Sequence, residues 1–314
     1  MEVYRSLDTY QAGTGAVVTL GTFDGVHIGH RKILSRLKAS AKAIGGESVL
    51  VTFHPHPRLV IFPEGNSLRL LQTMEEKIRI LDAYGINKLL IVPFTKEFSR
   101  TPPRVFIEEI LVNTVKAQKI IIGYDHRFGK NREGGIEKLR DYANHFKYLV
   151  EEIPAQAIND ANVSSTKIRN ALQEGDIETA NRYLGYEYEF SGVVVHGEKL
   201  GRKLGYPTAN IQIDDPLKLC PANGVYFVRF HVRSKAHYGM MNIGTKPTVG
   251  TFGIGAEVYV FDFDDDIYDE YVRVEILEYL REEKKFDSLE TLIKAIDGDR
   301  DQSLELIKQY GPLA

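Results

Sequence analysis

Five short apolar runs, separated by amphipathic stretches, occupy the first half of the chain. Ala16 to Leu20, Ser48 to Phe53, Lys88 to Val92, Lys119 to Ile122 and Tyr148 to Ile153 each read as a buried strand. After the first run, Ile33, Leu34, Leu37, Ala41 and Ile44 recur at helical spacing. Thr73-Met-Glu-Glu76 is a capping box that opens a helix ending near Gly85. Thr101-Pro-Pro103 sets proline in the first turn of another helix, and Ser164-Ser-Thr-Lys-Ile-Arg169 opens a further one. Strand–helix alternation of this kind predicts an α/β fold with a doubly wound parallel sheet. The C-terminal strand ends of such a sheet share one edge, so polar segments that follow the strands gather in one crevice.

The pattern changes further along. Ala171 to Gly185 reads as a helix end, a turn at Gly175 and a short helix stopped by Gly185. Beyond it the period is two: Tyr226, Val228, Phe230 and Val232 alternate with Phe227, Arg229, His231 and Arg233, and Val272, Val274 and Ile276 alternate with Arg273 and Glu275. Half-buried antiparallel strands are predicted there, and closure into a small barrel would hide their edges. From Ser288 the spacing of Leu289, Leu292, Ile293 and Ile296 returns to helical, predicting C-terminal helices. The boundary falls near 186, giving domains 1–185 and 186–314.

A chain of 314 residues suits two domains. The formal net charge of -3 gives no broad basic surface, so no nucleic-acid partner is expected. Cys220 is the one cysteine, which excludes an intramolecular disulfide framework and fits a reducing compartment; it is expected to be a small buried hydrophobe. Charged residues at the N-terminus exclude a secretory signal, and no apolar run is long enough to span a membrane. A cytoplasmic protein is expected, with no membrane partner; a homo-oligomer is left open.

The chemistry concentrates in Gly21-Thr-Phe-Asp-Gly-Val-His-Ile-Gly-His30, a loop between a strand and a helix N-terminus. Helix N-termini attract phosphate, and Gly21, Gly25 and Gly29 allow a backbone to approach a ligand closely. His27 and His30 lie one helical turn apart, on the same side. Such a pair could also bind zinc, but no helical H-E-x-x-H and no cysteine cluster supports that, and the loop is neither a Walker A nor a G-x-G-x-x-G. His54-Pro-His-Pro57 reads on its own as a rigid turn. Asp125 to Gly134 is a glycine-rich basic loop. Ser164 and Ser165 serve as an N-cap in the plain reading, but Lys167 and Arg169 in the following turn oppose the helix dipole, a conflict that a triphosphate would resolve.

These segments resemble a known family. The first loop carries the H-x-G-H signature of the nucleotidylyltransferase superfamily, whose fold is Rossmann-like, and F-D-G-V-H-x-G-H is similar to the FMN adenylyltransferase module of prokaryotic FAD synthetases. The segments at Thr52 to Pro57, Gly123 to Gly129 and Ser164 to Arg169 follow in family order. His126 stands where many members carry Phe. The resemblance implies adenylyl transfer from ATP to FMN, giving FAD and pyrophosphate. It assigns His27 and His30 to the α-phosphate and Lys167 and Arg169 to the β- and γ-phosphates. Gly21, Phe23, Asp24, Gly29, Asp125, Arg127, Ser164, Ser165 and Thr166 complete the ATP side, and His54 and Pro55 the flavin side. A phosphate monoester has a second pKa of about 6, so its attack needs alignment and charge neutralisation rather than a base.

In the second half, Val195 to Asn210 could wrap a nucleotide phosphate, a glycine-lysine hairpin tip being the plain alternative. The loop resembles the G-x-x-L-G-x-P-T-A-N motif of riboflavin kinases, and Asn242 to Thr248, Glu257 to Phe263 and Leu280 to Phe286 match further family segments. Lys246 replaces the usual Arg and Asp269 the usual Gly. This implies phosphorylation of riboflavin to FMN by ATP and Mg2+, with Gly197, Gly201, Lys203 and Gly205 at ATP, Thr208 and Asn210 at Mg2+, and Arg281 at the flavin. An alcohol holds its proton tightly, so a general base is useful, and Glu257 matches the family's catalytic glutamate. Asp262, Asp264, Asp265 and Asp266 lack EF-hand spacing and read as a solvated turn. The rival readings are a nucleotidylyltransferase for another phosphate ester, such as phosphopantetheine, and a flavin- or nucleotide-binding regulator without turnover.

Overall fold

The computed structural model describes residues 1–64, 67–155, 163–197, 200–213, 215–244 and 255–313, with backbone only at 200 and 203. Its contacts divide the chain into two compact units, Met1–Arg69 with Met74–Ser164 and Leu70–Thr73 with Ser165–Ala314.

The first unit is built on β1 (Glu2–Tyr4), β2 (Ala16–Leu20), β3 (Ser48–His54), β4 (Lys88–Pro93), β5 (Ala117–Gly123) and β6 (Leu149–Ile153). The sheet order is β1-β4-β3-β2-β5-β6, and every pair is parallel. Each face has its own core. Val18, Leu20, Val51 and Leu90 point to one, with Ile107 and Leu111 packed there, while Val17, Leu50 and Leu89 point to the other. Burial on both faces explains why these strands read as continuous apolar runs rather than as alternation. The sequence predicts five strands, and the described residues of this unit form six. The extra strand, β1, has only three residues and sits on an edge, too short to show a period.

Helix α1 (Ile28–Ala43) follows β2 and lays Ile33, Leu34, Leu37 and Ala41 against the second core, at the spacing read from the sequence. Helices α2 (Pro57–Ile61), α3 (Met74–Ala83) and α4 (Ile136–Phe146) belong to the same unit. The segment after Thr101-Pro-Pro103 begins as a short α-turn and winds on as a wider π-helix, Phe106–Thr114.

The second unit opens with α5 (Ser165–Glu174) and α6 (Ile177–Leu184), separated at Gly175 and stopped by Gly185, both left-handed with φ of 78° and 76°. The expected change of period near 186 therefore lies after two helices that already pack with the second unit. Strands β7 (Glu189–Val195), β8 (Thr208–Gln212), β9 (Gly224–Val232), β10 (Lys235–Gly244), β11 (Gly255–Val260) and β12 (Tyr271–Arg281) close into an antiparallel barrel, ordered β10-β11-β8-β7-β12-β9. The tail forms one helix among the described residues, α7 (Leu289–Tyr310), capped by Ser288 and Thr291. Phe227, on the outward face of β9 by the alternation, is nonetheless fully buried, because Tyr238, Leu304 and Ile307 cover it. Cys220 is half-buried, not buried as expected, since it lies in the irregular stretch before β9 rather than in the barrel core.

Candidate active sites

In the first unit the Gly21–His30 segment links β2 to α1. It carries two strained residues, Phe23 at φ 45° and Val26 at φ 35°, both buried. A β-branched residue at positive φ persists only where its surroundings over-determine it. Two side chains from other elements converge on the carbonyl oxygen of Thr22, immediately before Phe23. Lys77 Nζ, from α3, donates to it at 2.8 Å, and Thr52 Oγ1, from β3, at 3.4 Å. A Cβ on Gly21 would stand 3.0 Å from Phe23 Cε2, so any larger residue there would press on that ring.

His27 is the N-cap of α1, and its Nδ1 accepts the backbone N–H of His30 at 3.3 Å. Nδ1 is thereby the acceptor, so the neutral ring carries its proton on Nε2. The two imidazoles stack with centroids 3.7 Å apart and planes inclined by 17°, and Phe23 covers His30 at 4.9 Å. Burial holds the His27 imidazole down at about 4. His30 is held well below its ordinary value by burial, then by the neighbouring His27 and Lys77. Both rings are therefore neutral at pH 7, and buried Nδ1 of His30 has no hydrogen-bond partner. A Cβ on Gly29 would stand 3.2 Å from the His27 ring, so glycine there makes room for the stack.

Parallel pairing brings other segments to the same sheet edge. His54 and Pro55 end β3, beside β2, and are exposed. The loop after β5 folds back on itself through reciprocal backbone bonds between Phe128 and Gly134. Asp125 is exposed in it, and Arg127 Nη1 pairs with Glu137 at 3.3 Å. His126 turns inward from this loop. Its Nε2 is buried without a hydrogen-bond partner, its Cε1 would stand 3.9 Å from a Cβ on Gly21, and burial lowers it to about 4. Ser164 closes the first unit, whereas Ser165, Thr166, Lys167 and Arg169 form the opening turn of α5 in the second, a turn with no acidic residue.

In the second unit the barrel register sets the site. Asn210 on β8 lies directly opposite Glu257 on β11, which in turn lies opposite Asn242 on β10. Opposed residues share a face, and Thr208, two positions along β8, shares it too. The burial pattern says which face: Ala256, Val258 and Val260 fill the barrel, leaving Glu257 and Tyr259 half-buried outside. Gly197 and Gly201 lie against these side chains. A Cβ on Gly197 would stand 2.3 Å from Asn210 Nδ2, and one on Gly201 would stand 3.3 Å from Thr208 Oγ1. Gly205 is left-handed, with φ 84°. The Lys203 side chain, Lys199, Lys246 and Thr248 lie outside the described residues.

Helix α7 braces this region. Tyr206, in the loop before β8, donates its hydroxyl to Asp297 and meets Tyr259 edge-on at 5.2 Å. Arg281, at the end of β12, forks onto Asp299 with two bonds of 2.7 Å.

Two family models match the chain, FAD synthetase over residues 10–167 and riboflavin kinase over residues 184–307. Bifunctional riboflavin kinase/FMN adenylyltransferases align along nearly its whole length. That of Listeria monocytogenes is 36% identical over 90% of this chain and 90% of its own, and that of Bacillus subtilis 33% identical over 92% of each. The Escherichia coli K12 protein is 33% identical over 91% of this chain and 90% of its own. The chain belongs to the bifunctional riboflavin kinase/FMN adenylyltransferase family. A crystal structure of a Streptococcus pneumoniae protein described as a macrolide-efflux protein shares the fold, with a TM-score of 0.84, 29% identity, and coverage of 96% of this chain and 97% of that one. Among the described residues no helix is long and apolar enough to cross a membrane.

For a member of this family, the motifs do not name Lys77, Asp297 or Asp299, and they give Thr52 and Asn242 no role of their own. Lys77 sits 6% exposed beneath the first loop, and Thr52 reaches the same carbonyl. Asn242 flanks Glu257, and Asp297 and Asp299 hold Tyr206 and Arg281. A signal existed for Lys77: it precedes Leu81 by one helical turn and so occupies the apolar stripe of α3. The acidic run after β11 is a turn held by Arg233, which reaches Asp265 at 3.1 Å and also Glu270. No three His, Cys, Asp or Glu side chains among the described residues converge on a metal position.

Proposed function

We infer that this chain phosphorylates riboflavin to FMN and then adenylylates FMN to FAD, using ATP for both steps. The observation that carries the reading is that the models of both families match one chain, over residues 10–167 and 184–307.

For the adenylyl transfer, the FMN phosphate attacks the α-phosphorus of ATP and pyrophosphate leaves. The nucleophile is already ionised, so the site must align the reactants and stabilise charge. His27 and His30 are proposed as neutral donors to the α-phosphate. Held by its Nδ1 bond, His27 presents Nε2–H. Lys167 and Arg169 are proposed as partners of the β- and γ-phosphates, with Gly21, Phe23, Asp24, Gly29, Asp125, Arg127, Ser164, Ser165 and Thr166 on the ATP side and His54 and Pro55 on the flavin side. Residues 1–185 are proposed as this functional half and 186–314 as the kinase half.

For the kinase step, the terminal ribityl hydroxyl attacks the γ-phosphorus of ATP, the bond to the β-phosphate oxygen breaks to release ADP, and the hydroxyl proton passes to Glu257. Gly197, Gly201, Lys203 and Gly205 are proposed at ATP. Arg281 is proposed at the flavin, its guanidinium oriented by Asp299. Thr208 and Asn210 fit Mg2+: a hydroxyl and an amide oxygen share one face, and the Gly197 and Gly201 backbones leave room that a Cβ would fill. When bound, Mg2+ would neutralise charge on the triphosphate. A cytoplasmic setting is proposed with this reading.

Incubation with riboflavin, ATP and Mg2+, followed by chromatography of the flavins, tests it. FMN and FAD are expected in succession. Flavin binding without either product would overturn the reading in favour of a regulator.

A further inference from the structure

Lys77 lies outside every motif that identifies the family, yet it is buried, 6% exposed, beneath the phosphate loop. It reaches there from α3, an element that contributes no other residue to the proposed site. Its stem occupies the apolar stripe of that helix, and the side chain is buried. An ammonium in such a place costs free energy unless it makes bonds that offset the loss of water. It donates to Thr22 O at 2.8 Å; burial lowers its pKa, and the Asp24 carboxylate, two residues further along the same loop, opposes that shift and favours its charge. Both interactions are with the Gly21–His30 segment rather than with the core of α3.

The position of that bond is informative. Thr22 immediately precedes Phe23, whose backbone is left-handed at φ 45°, and Val26 follows at φ 35°. Phe23 in turn covers His30 at 4.9 Å, and His30 stacks on His27 at 3.7 Å. Fixing the Thr22 carbonyl therefore fixes the start of a chain of contacts that ends at the imidazole pair. Thr52 Oγ1 touches the same oxygen at 3.4 Å, a long and weak bond, so Lys77 is the stronger of the two restraints. The ammonium also acts on the pair through space. Together with burial and with His27, it disfavours a proton on His30. The groups that bear on His30 are thus His27 on its own loop and Lys77 from α3, with Asp24 of the loop bearing on Lys77.

We propose that Lys77 is a positioning residue for adenylyl transfer: its ammonium pins the Thr22 carbonyl, holds the strained loop ready for phosphate, and sets the charge environment of the His27–His30 pair. The proposal rests on the adenylyltransferase reading of this loop. The two are separable, because absence of FAD formation from FMN by the wild-type chain would overturn that reading before Lys77 is tested.

Lys77→Met keeps the stem and removes the donor and the charge. Lys77→Gln is milder and retains a donor that can reach the carbonyl. Both are measured as full-length chains for FMN adenylylation and, in the same preparations, for riboflavin phosphorylation, which reports whether the chain is folded. Displacement of a catalytic loop by about an ångström costs on the order of 10²-fold. Accordingly, Lys77→Met is expected to lose about 10²-fold in kcat for adenylylation while phosphorylation stays within about twofold, and Lys77→Gln to recover about tenfold of that loss. Recovery by Lys77→Gln, which restores the donor without the charge, is the readout that a mere loss of packing would not give. In Lys77→Met the His30 imidazole, followed by proton NMR, is expected to titrate at higher pH than in wild type, because a neighbouring cation has gone. Wild-type adenylylation by Lys77→Met would overturn the proposal. So would equal loss of both activities, a Gln variant no better than Met, or an unmoved His30 titration.

Discussion

His27 and His30 stack ring on ring at 3.7 Å, and the backbone N–H of His30 donates to Nδ1 of His27 at 3.3 Å. One residue thus caps the helix, fixes its own tautomer and supports its partner's ring. Charging either imidazole would place a cation in a buried stack, and for His30 beside Lys77 as well.

This arrangement sets a pH dependence of stability. The folded value of His27, about 4, lies below the ordinary value of about 6.5 that the unfolded chain would show, so the unfolded state binds the proton first. The stabilisation is complete above about pH 6.5 and is lost as pH falls towards 4. For His27 alone the loss is on the order of 3 kcal/mol. Thermal unfolding followed from pH 7.5 to 4.5 should show a steep fall in wild type and a shallower one in His27→Gln. Parallel curves would mean that His27 titrates normally.

His30→Ala should cut FMN adenylylation by about 10²–10³-fold, the usual cost of one transition-state donor. Riboflavin phosphorylation should persist, since His30 belongs to the first unit and Glu257 to the barrel of the second. The check is a pair of initial rates, with FMN and with riboflavin. Unchanged FAD formation by a folded variant would remove the loop from the reaction.

Glu257→Gln keeps the side chain's size and its capacity for hydrogen bonds but removes its basicity. Riboflavin phosphorylation should fall by about 10²–10⁴-fold. Supplied FMN should still be adenylylated, because its phosphate arrives ionised. Given riboflavin, the variant makes almost no FAD; given FMN, it makes FAD normally. Quenching of riboflavin fluorescence on binding should survive. Normal phosphorylation would exclude Glu257 as the base.

His126→Phe should stabilise the first unit. The change keeps an aromatic ring beside Phe128, 6.2 Å away, and removes a buried Nε2 that has no partner. Relieving an unsatisfied buried polar atom gains about 1–3 kcal/mol. Urea unfolding at pH 7 measures it. A lower midpoint would show that Nε2 is satisfied in solution.

Much of this was legible in the residue pattern because the pattern has a physical cause. Burial on both faces wrote the parallel strands as apolar runs, and Gly175 and Gly185 marked the helix ends as the left-handed turns they are. The phosphate loop was legible through its glycines and histidines, and the family resemblance supplied Glu257. What sequence left dark depends on contacts between distant segments. Nothing local to Lys77 says that it meets Thr22, 55 residues away. Strand β1 is too short to carry a period. Arg281 read as a ligand contact, and only the fold shows its guanidinium engaged by Asp299.

The brace from α7 has a consequence for how this half of the molecule can be dissected. Asp297 and Asp299 stand on one helical turn, yet one holds Tyr206 ahead of β8 and the other holds Arg281 at the end of β12. A substitution at either aspartate that tilts the turn disturbs both attachments. Residues linked through a shared element show interaction free energies of about 0.5–3 kcal/mol rather than simple addition. Tyr206→Phe and Asp299→Asn, which touch no common atom, should therefore fail to add. Single substitutions along this turn measure a joint, and only a double-mutant cycle can apportion its two arms.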